Sequence, residues 1–106
     1  MTKIKSPFDK ETYQKNAKIY KILANPKRLE ILNIIKKQEA GVDDIAKIIG
    51  AKKANISQHL KVLKDYGLVK FRRVGKNILY KIINPVISCA LSDYEQNTQT
   101  FAEILT

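Results

Sequence analysis

The sequence predicts a mainly α-helical domain with one two-stranded β-hairpin, the arrangement called a winged helix-turn-helix. Two observations predict it. Between Asp43 and Tyr66, two short runs of helical apolar spacing lie on either side of Gly50. After Gly67 the spacing becomes nearly alternating, and Gly75 divides that part into two strands. A chain of 106 residues is one domain, small for a large core, so we expect a dimer.

The composition indicates a folded, basic domain. The formal net charge is +10, and 44% of the residues are hydrophobic, so the chain is not a disordered basic tail. Excess Lys and Arg attract phosphates and release counterions, which makes double-stranded DNA the leading partner. An anionic membrane surface or an acidic protein is the alternative partner that charge alone leaves open.

The sequence predicts a cytoplasmic protein without a metal or other cofactor. Its apolar runs are too short for a membrane span, and its first residues lack the apolar segment of a signal peptide. Cys89 is the only cysteine and His59 the only histidine, too few for an ordinary transition-metal site in one subunit. Two interpretations remain for Cys89, either plain packing in a helix or redox chemistry of its thiol.

The beginning of the chain divides into an arm and a helix. Residues 1–8 are basic and show little periodicity, so we expect a flexible arm before a domain that spans residues 9–106. From Asp9, the spacing of Tyr13, Ala17, Tyr20 and Leu23 is helical. Further apolar residues widen this stripe, so the first helix is predicted to contact both its own core and a second subunit.

A second helix begins at Asn25-Pro26, where Asn25 suits the N-cap and Pro26 the first helical position. Leu29, Leu32 and Ile35 mark its buried face, and the segment Glu39 to Gly41 ends it.

The helix-turn-helix follows, with a first helix over Val42–Ile49 and a second over residues 54–66. Ile56, Leu60 and Leu63 of the second helix point inward. Its outward face is small and polar, as entry into a DNA major groove requires, and consists of Ala54, Ser57, Gln58, Lys61 and Lys64. The alternative is an ordinary amphipathic helix with a solvated polar side.

The predicted hairpin has strands Leu68–Val74 and Ile78–Ile83, joined by Gly75-Lys76-Asn77. Phe71 and Tyr80 are expected to be partners on one face. The hairpin is strongly basic and therefore suits a wing that contacts DNA, through Arg72, Arg73 and Lys76. The alternative is a surface hairpin that its charges keep soluble.

Asn84-Pro85 opens a last helix with heptad spacing, in which Thr98 interrupts an apolar series of Ile87, Leu91, Tyr94, Phe101 and Leu105. We expect this seam, together with Tyr13 and Tyr20 of the first helix, to form the dimer interface. The alternative is that the last helix only covers its own core.

Three blocks carry a family likeness: L-A-N-P-K-R-L-E-I-L at Leu23–Leu32, I-S-Q-H-L-K-V-L-K-D-Y-G-L-V at Ile56–Val69, and R-R-V-G-K-N-I-L-Y-K-I at Arg72–Ile82. In order and spacing they resemble the ArsR-type winged-helix repressors. The resemblance implies a homodimer whose recognition helices read a pseudo-palindromic operator.

The resemblance also assigns roles in the recognition helix. It implies base or phosphate contacts for Ser57 and Gln58, and a backbone contact for Lys61. His59 either contacts DNA or fixes the helix. Arg28 either orients the fold or reaches phosphate, and we favour the structural role.

Two departures from the family pattern affect function. Many family members have a Ser or Thr cap and a Gln just before the recognition helix, whereas this chain has Ala51-Lys52-Lys53 there. Lys52 and Lys53 are therefore expected to strengthen phosphate binding more than base discrimination. The thiol box and the histidines of the metal-sensing members are missing, and Cys89 alone cannot form an intramolecular sulfur bridge. We therefore expect a non-metal-binding variant whose effector the sequence does not identify.

The sequence-specific repressor is the leading hypothesis. Its alternatives are a non-specific or architectural nucleic-acid-binding protein and a winged helix that binds other proteins. We do not expect an enzyme, because no paired acid and base, activated nucleophile or phosphate loop is recognisable.

Overall fold

The computed structural model describes residues 3–84 and Ile87. Its elements are the helices α1 (Lys10–Leu23), α2 (Pro26–Lys37), α3 (Val42–Ile49) and α4 (Lys53–Asp65), followed by the strands β1 (Val69–Val74) and β2 (Asn77–Ile82). The strands pair antiparallel. The predicted fold, a mainly helical winged helix-turn-helix with a β-hairpin, is confirmed.

Local chemistry determines where the helices begin. The Asp9 carboxylate accepts a hydrogen bond from the Thr12 amide at 2.8 Å, which caps α1 and lowers the pKa of Asp9. The Asn25 side chain accepts from the Arg28 amide at 3.1 Å, with Pro26 at the first position of α2. The capping prediction for Asn25 is therefore confirmed.

The core lies between α2, α3, α4 and the base of the hairpin. Its largest fully buried side chains are Ile31, Leu32, Ile45, Ile56, Leu60, Leu63, Leu68, Val69 and Ile87. Each such side chain contributes roughly 1.5–3 kcal/mol relative to an exposed one. The predicted inward face of α4 is thus confirmed, whereas Leu29, predicted to be buried on α2, is only partly buried. From α1, Ile22 and Leu23 are buried in the core and Ile19 packs against it, whereas Tyr13 and Tyr20 are exposed.

The hairpin differs slightly from its prediction. β1 begins one residue later than expected, and β2 is shifted one residue earlier, so that it begins at Asn77, which pairs with Val74. The connection is therefore the two-residue loop Gly75-Lys76, in which Gly75 has a φ of 64°. A left-handed glycine at the first of two loop positions closes such hairpins without splaying the strands. The predicted Phe71–Tyr80 pairing is confirmed.

A short bridge ties the segment before α3 to the hairpin. The Ala40 amide donates to the Tyr80 carbonyl at 3.4 Å, and the Tyr80 amide donates to the Ala40 carbonyl at 2.9 Å. A Cβ atom on Gly41 would lie 2.9 Å from the Ile78 carbonyl oxygen. Gly41 is therefore required by close approach of two backbones, a role beyond the helix stop that the sequence suggested.

The predicted interface of the last helix is only partly covered by the structure. Leu91, Tyr94, Phe101 and Leu105 lie outside the described residues, as does Cys89. Ile87 is fully buried in the core of its own protomer, which corrects its assignment to the interface. In the part of the chain that the structure describes, no helix is both long and apolar enough to cross a bilayer.

Candidate nucleic-acid interface

The outward face of α4 is the centre of the candidate interface. The helix spans Lys53–Asp65, one residue earlier at each end than the predicted range of 54–66. As predicted, its outward side chains are all exposed, namely Ala54, Ser57, Gln58, Lys61 and Lys64. The turn before α4 is fixed because the amides of Gly50 and Ala51 both donate to the Ala46 carbonyl, at 2.8 and 3.0 Å. Gly50 itself is left-handed, with a φ of 76°.

The start of α4 is basic and has no side-chain cap. Lys52 occupies the N-cap position, and its side chain has no oxygen to accept from the first amides of the helix. Those amides and the helix dipole give this end a partial positive charge, to which Lys52 and Lys53 add. This end of α4 therefore favours a negatively charged group such as a DNA phosphate.

Three of the predicted DNA-contacting cations form ion pairs within the chain. Lys53 Nζ lies 3.1 Å from Asp43 Oδ1, and Lys61 Nζ lies 3.3 Å from Asp65 Oδ2. Arg72 Nε lies 2.6 Å from Glu39 Oε2. These pairs are largely exposed and so contribute little to stability, roughly 0–1 kcal/mol each. Among the described residues, three further predicted cations form no ion pair: Lys52, Arg73 and Lys76.

Arg28 and His59 link three helices. Arg28 Nε donates to His59 Nδ1, and its Nη1 donates to the Ile22 carbonyl, both at 3.3 Å. Partial burial of the imidazole, together with the positive charges of Arg28 and Lys27, lowers the pKa of His59. His59 is therefore a neutral acceptor toward Arg28. These contacts support the structural interpretation of Arg28 and the positioning interpretation of His59, whose contact with DNA stays a prediction.

The wing contacts α4 through its aromatic pair. The rings of Phe71 and Tyr80 have centroids 5.8 Å apart at an interplanar angle of 53°. Lys64 Nζ of α4 lies 4.9 Å from the centroid of Phe71, a cation–π distance. Lys70 and Lys81 are direct partners in the ladder, and because like charges opposite each other repel, a bound anion would relieve this repulsion.

The structure bears on the prediction of no metal site only for the residues that it describes. Residues 3–84 and Ile87 contain no group of three or more His, Cys, Asp or Glu side chains placed to hold a metal ion. For the whole chain, the expectation of no metal and no cofactor stays a prediction.

Comparison with known proteins decides the family. The profile described as "Bacterial regulatory protein, arsR family" matches residues 25–70, from the cap of α2 into β1. The chain is 31% identical over 88 residues to the HTH-type transcriptional regulator NmtR of Mycobacterium tuberculosis, which is 83% of this chain and 73% of NmtR. The chain belongs to the ArsR family. It is an ArsR-family transcriptional regulator with a winged helix-turn-helix DNA-binding fold.

Two further relatives of this ArsR-family chain bear on its function. The transcriptional repressor SmtB homolog of Synechocystis sp. is 35% identical over 69 residues, which is 65% of this chain but only about half, 52%, of that relative. The homodimeric winged helix-turn-helix DNA-binding domain Mb0332 of Mycobacterium bovis superposes with a TM-score of 0.69 at 27% identity, covering 92% of this chain and 95% of that domain.

Sequence reasoning missed the carboxylate partners of the basic residues. Lys61 and Asp65 are four residues apart on a helix, a spacing that could have revealed their pair. Glu39 and Arg72 are 33 residues apart, and no periodicity connects them. Lys27 and Asn55, which lie beside Gln58 and His59, were also missed.

Proposed function

We propose that the protein is a homodimeric transcriptional repressor that inserts α4 of each subunit into the major groove of a pseudo-palindromic operator. The observation that carries the proposal is the contrast between the two faces of α4. One face is fully buried, and the other presents short polar side chains with lysines around them. The names of two relatives, a repressor and a homodimeric DNA-binding domain, support the same function.

The proposed roles follow from side-chain chemistry. Ser57 and Gln58 hydrogen-bond base edges, and the small side chain of Ala54 lets the helix approach closely. Lys61 binds the sugar-phosphate backbone. The remaining cations hold the flanking backbone, namely Lys52 and Lys53 at the start of α4, and Arg72, Arg73 and Lys76 on the wing. This division predicts that α4 discriminates between sequences while the wing mainly adds affinity.

The dimer proposal is supported by α1. Tyr13 and Tyr20 are 44% and 59% exposed, unusual for aromatic residues of a helix that packs on a core. A groove of about 550 Å³ lies beyond the end of α1 and is lined in part by Ala24, Pro26 and Leu29. A second subunit would cover this apolar surface. We place the dimer in the cytoplasm, where the operator DNA of a bacterial regulator is located, and propose no catalytic activity for it.

Selection of bound duplexes from random DNA tests the proposal. We expect a pseudo-palindrome with half-sites about one helical turn apart. Gln58→Ala should lose discrimination at one base pair per half-site, by about 1–3 kcal/mol. Lys61→Gln is the matched control. It should weaken binding to all DNA sequences alike and reduce the slope of the log binding constant against log salt concentration. Enrichment of no motif by the unaltered chain would contradict the proposal.

A second candidate, non-specific nucleic-acid binding, is favoured by one feature. The α4 start has two lysines and no side-chain cap, so it binds phosphate without reading bases. Competition with bulk DNA separates the candidates, because only a sequence-specific protein keeps its selected duplex under excess competitor.

A further inference from the structure

A small cleft lies beside the recognition helix, between the start of α2 and the first half of α4. Its volume is about 120 Å³. No carboxylate lines it, and four of its side chains are polar. The lining residues are Lys27, Ala51, Asn55, Ile56, Gln58 and His59. Lys27 brings an ammonium group, and Asn55 and Gln58 bring amide groups. The cleft therefore offers several hydrogen-bond donors beside a surface proposed to contact DNA.

The hydrogen bond from Arg28 determines what the His59 ring can offer. Because His59 Nδ1 accepts from Arg28 Nε at 3.3 Å, the proton of the neutral ring is on Nε2. His59 therefore has a hydrogen-bond donor available for a ligand without being protonated. A neutral donor of this kind suits an anion.

Lys27, like Lys52, forms no ion pair among the described residues, unlike three of the cations around α4. Those three, Lys53, Lys61 and Arg72, each have a carboxylate within ion-pair distance. The charge of Lys27 also contributes to the lowered pKa of His59, so its ammonium group is close enough to act on the ring. The cleft is thus positively charged, and no acidic side chain of the described chain neutralises it.

We infer that this cleft binds one backbone phosphate of the DNA in each subunit, with Lys27 as the cation and His59 and Asn55 as hydrogen-bond donors. This inference rests on the proposed function and adds to it. Phosphate contacts fix the register of a protein on the duplex. A phosphate held between α2 and α4 would therefore set how far the recognition helix enters the groove.

Removal of the Lys27 charge tests the inference. Lys27→Gln is compared with Lys18→Gln, which removes one exposed charge from α1, outside the cleft. Equilibrium binding of the full chain to its selected duplex is measured at several salt concentrations. We expect Lys27→Gln to reduce the log–log salt slope by about 0.9 per subunit and to weaken binding at 0.1 M salt by about tenfold per contact. A Lys27→Gln variant that behaves like Lys18→Gln would overturn the inference.

Neutral methylphosphonate groups identify the phosphate itself. Single backbone phosphates of the duplex are replaced in turn. At one position per half-site, the replacement should weaken DNA binding by the unaltered protein but not by Lys27→Gln. Such non-additivity shows that the side chain and that phosphate interact directly. If every position weakens both proteins equally, Lys27 has no phosphate partner, and the inference fails even though the protein binds its operator. If the unaltered protein binds no duplex, the proposed function fails instead.

The single histidine gives a second readout. The imidazole NMR signals of His59 should move on addition of the duplex, and should move less in Lys27→Gln. Inorganic phosphate alone is the comparison ligand. If it moves the His59 signals while the duplex does not, the cleft binds a free anion, and the inference of a DNA phosphate is overturned.

Discussion

At the scale of the residue, the hydrogen bond between Arg28 and His59 requires the neutral form of the histidine ring. Its Nδ1 accepts from Arg28, and this acceptor is lost when the ring is protonated. The family resemblance singled out Arg28 in the second helix and His59 in the recognition helix, but it left the role of His59 open. Spacing could not resolve it, because the two residues are 31 positions apart and the interaction depends on how α2 crosses α4.

This contact predicts a pH dependence of stability. The pKa of His59 is lowered in the folded protein, so near its ordinary value of 6.5 the unfolded chain binds more protons. The free energy of unfolding should therefore fall as the pH is lowered from about 7.5 to about 5.5. His59→Asn places an amide oxygen near Nδ1 and does not titrate, so its stability should fall less.

Urea unfolding of both proteins at several pH values measures the difference. Because the carboxylates are common to the two proteins, subtraction isolates the contribution of His59. Equal pH dependence in the two proteins would show that His59 does not contribute.

At the scale of the element, the segment between α2 and α3 holds the wing to the body through two contacts, in addition to the contact of Lys64 with Phe71. The Ala40–Tyr80 bridge adds a third short segment beside β2, and Glu39, next to it, pairs with Arg72. Periodicity within an element was sufficient to predict the two faces of α4 and the Phe71–Tyr80 pair. It could not predict these wing contacts, because they join segments distant in the sequence.

Substitution of Glu39 should show whether it orients Arg72 or only neutralises it. Glu39→Ala removes the acceptor and should weaken DNA binding about 1.4- to fivefold, the range expected for an exposed ion pair of roughly 0.2–1 kcal/mol. Glu39→Gln keeps an oxygen acceptor and removes a negative charge, so it should bind DNA at least as tightly as the unaltered protein. Fluorescence anisotropy with a labelled duplex measures both. If both variants bind more tightly, Glu39 acts through charge alone.

At the scale of the whole molecule, the fold and family could be predicted because apolar spacing, caps and sequence blocks agree along the chain. The dimer interface was harder to predict. Heptad spacing describes an apolar stripe but does not say whether the stripe covers its own core or another subunit. Ile87 shows this limit, because it continues the heptad series and yet is fully buried within its own protomer.

Tyr20 provides a test of the dimer. A charge at Tyr20, which is 59% exposed on α1, would be buried without a partner in the proposed interface. Tyr20→Glu should raise the dissociation constant of the dimer by at least about 30-fold, as expected when an interface aromatic contributes about 2 kcal/mol. Sedimentation equilibrium measures it. The control is Tyr66→Glu, since Tyr66 is similarly exposed, at 55%, but lies at the end of α4. A dimer equally stable in both variants would exclude α1 from the interface.

The strand order has a consequence for solubility. β2 has neighbours on both sides, β1 and Ala40, whereas the outer edge of β1 has no strand partner among the described residues. An open edge can recruit strands from other molecules, and charged side chains discourage this. Lys70, Arg72 and Arg73 all lie on β1. Neutralising them together would therefore remove a safeguard against aggregation, so a loss of DNA binding in such a variant should be interpreted only after its colloidal state has been measured.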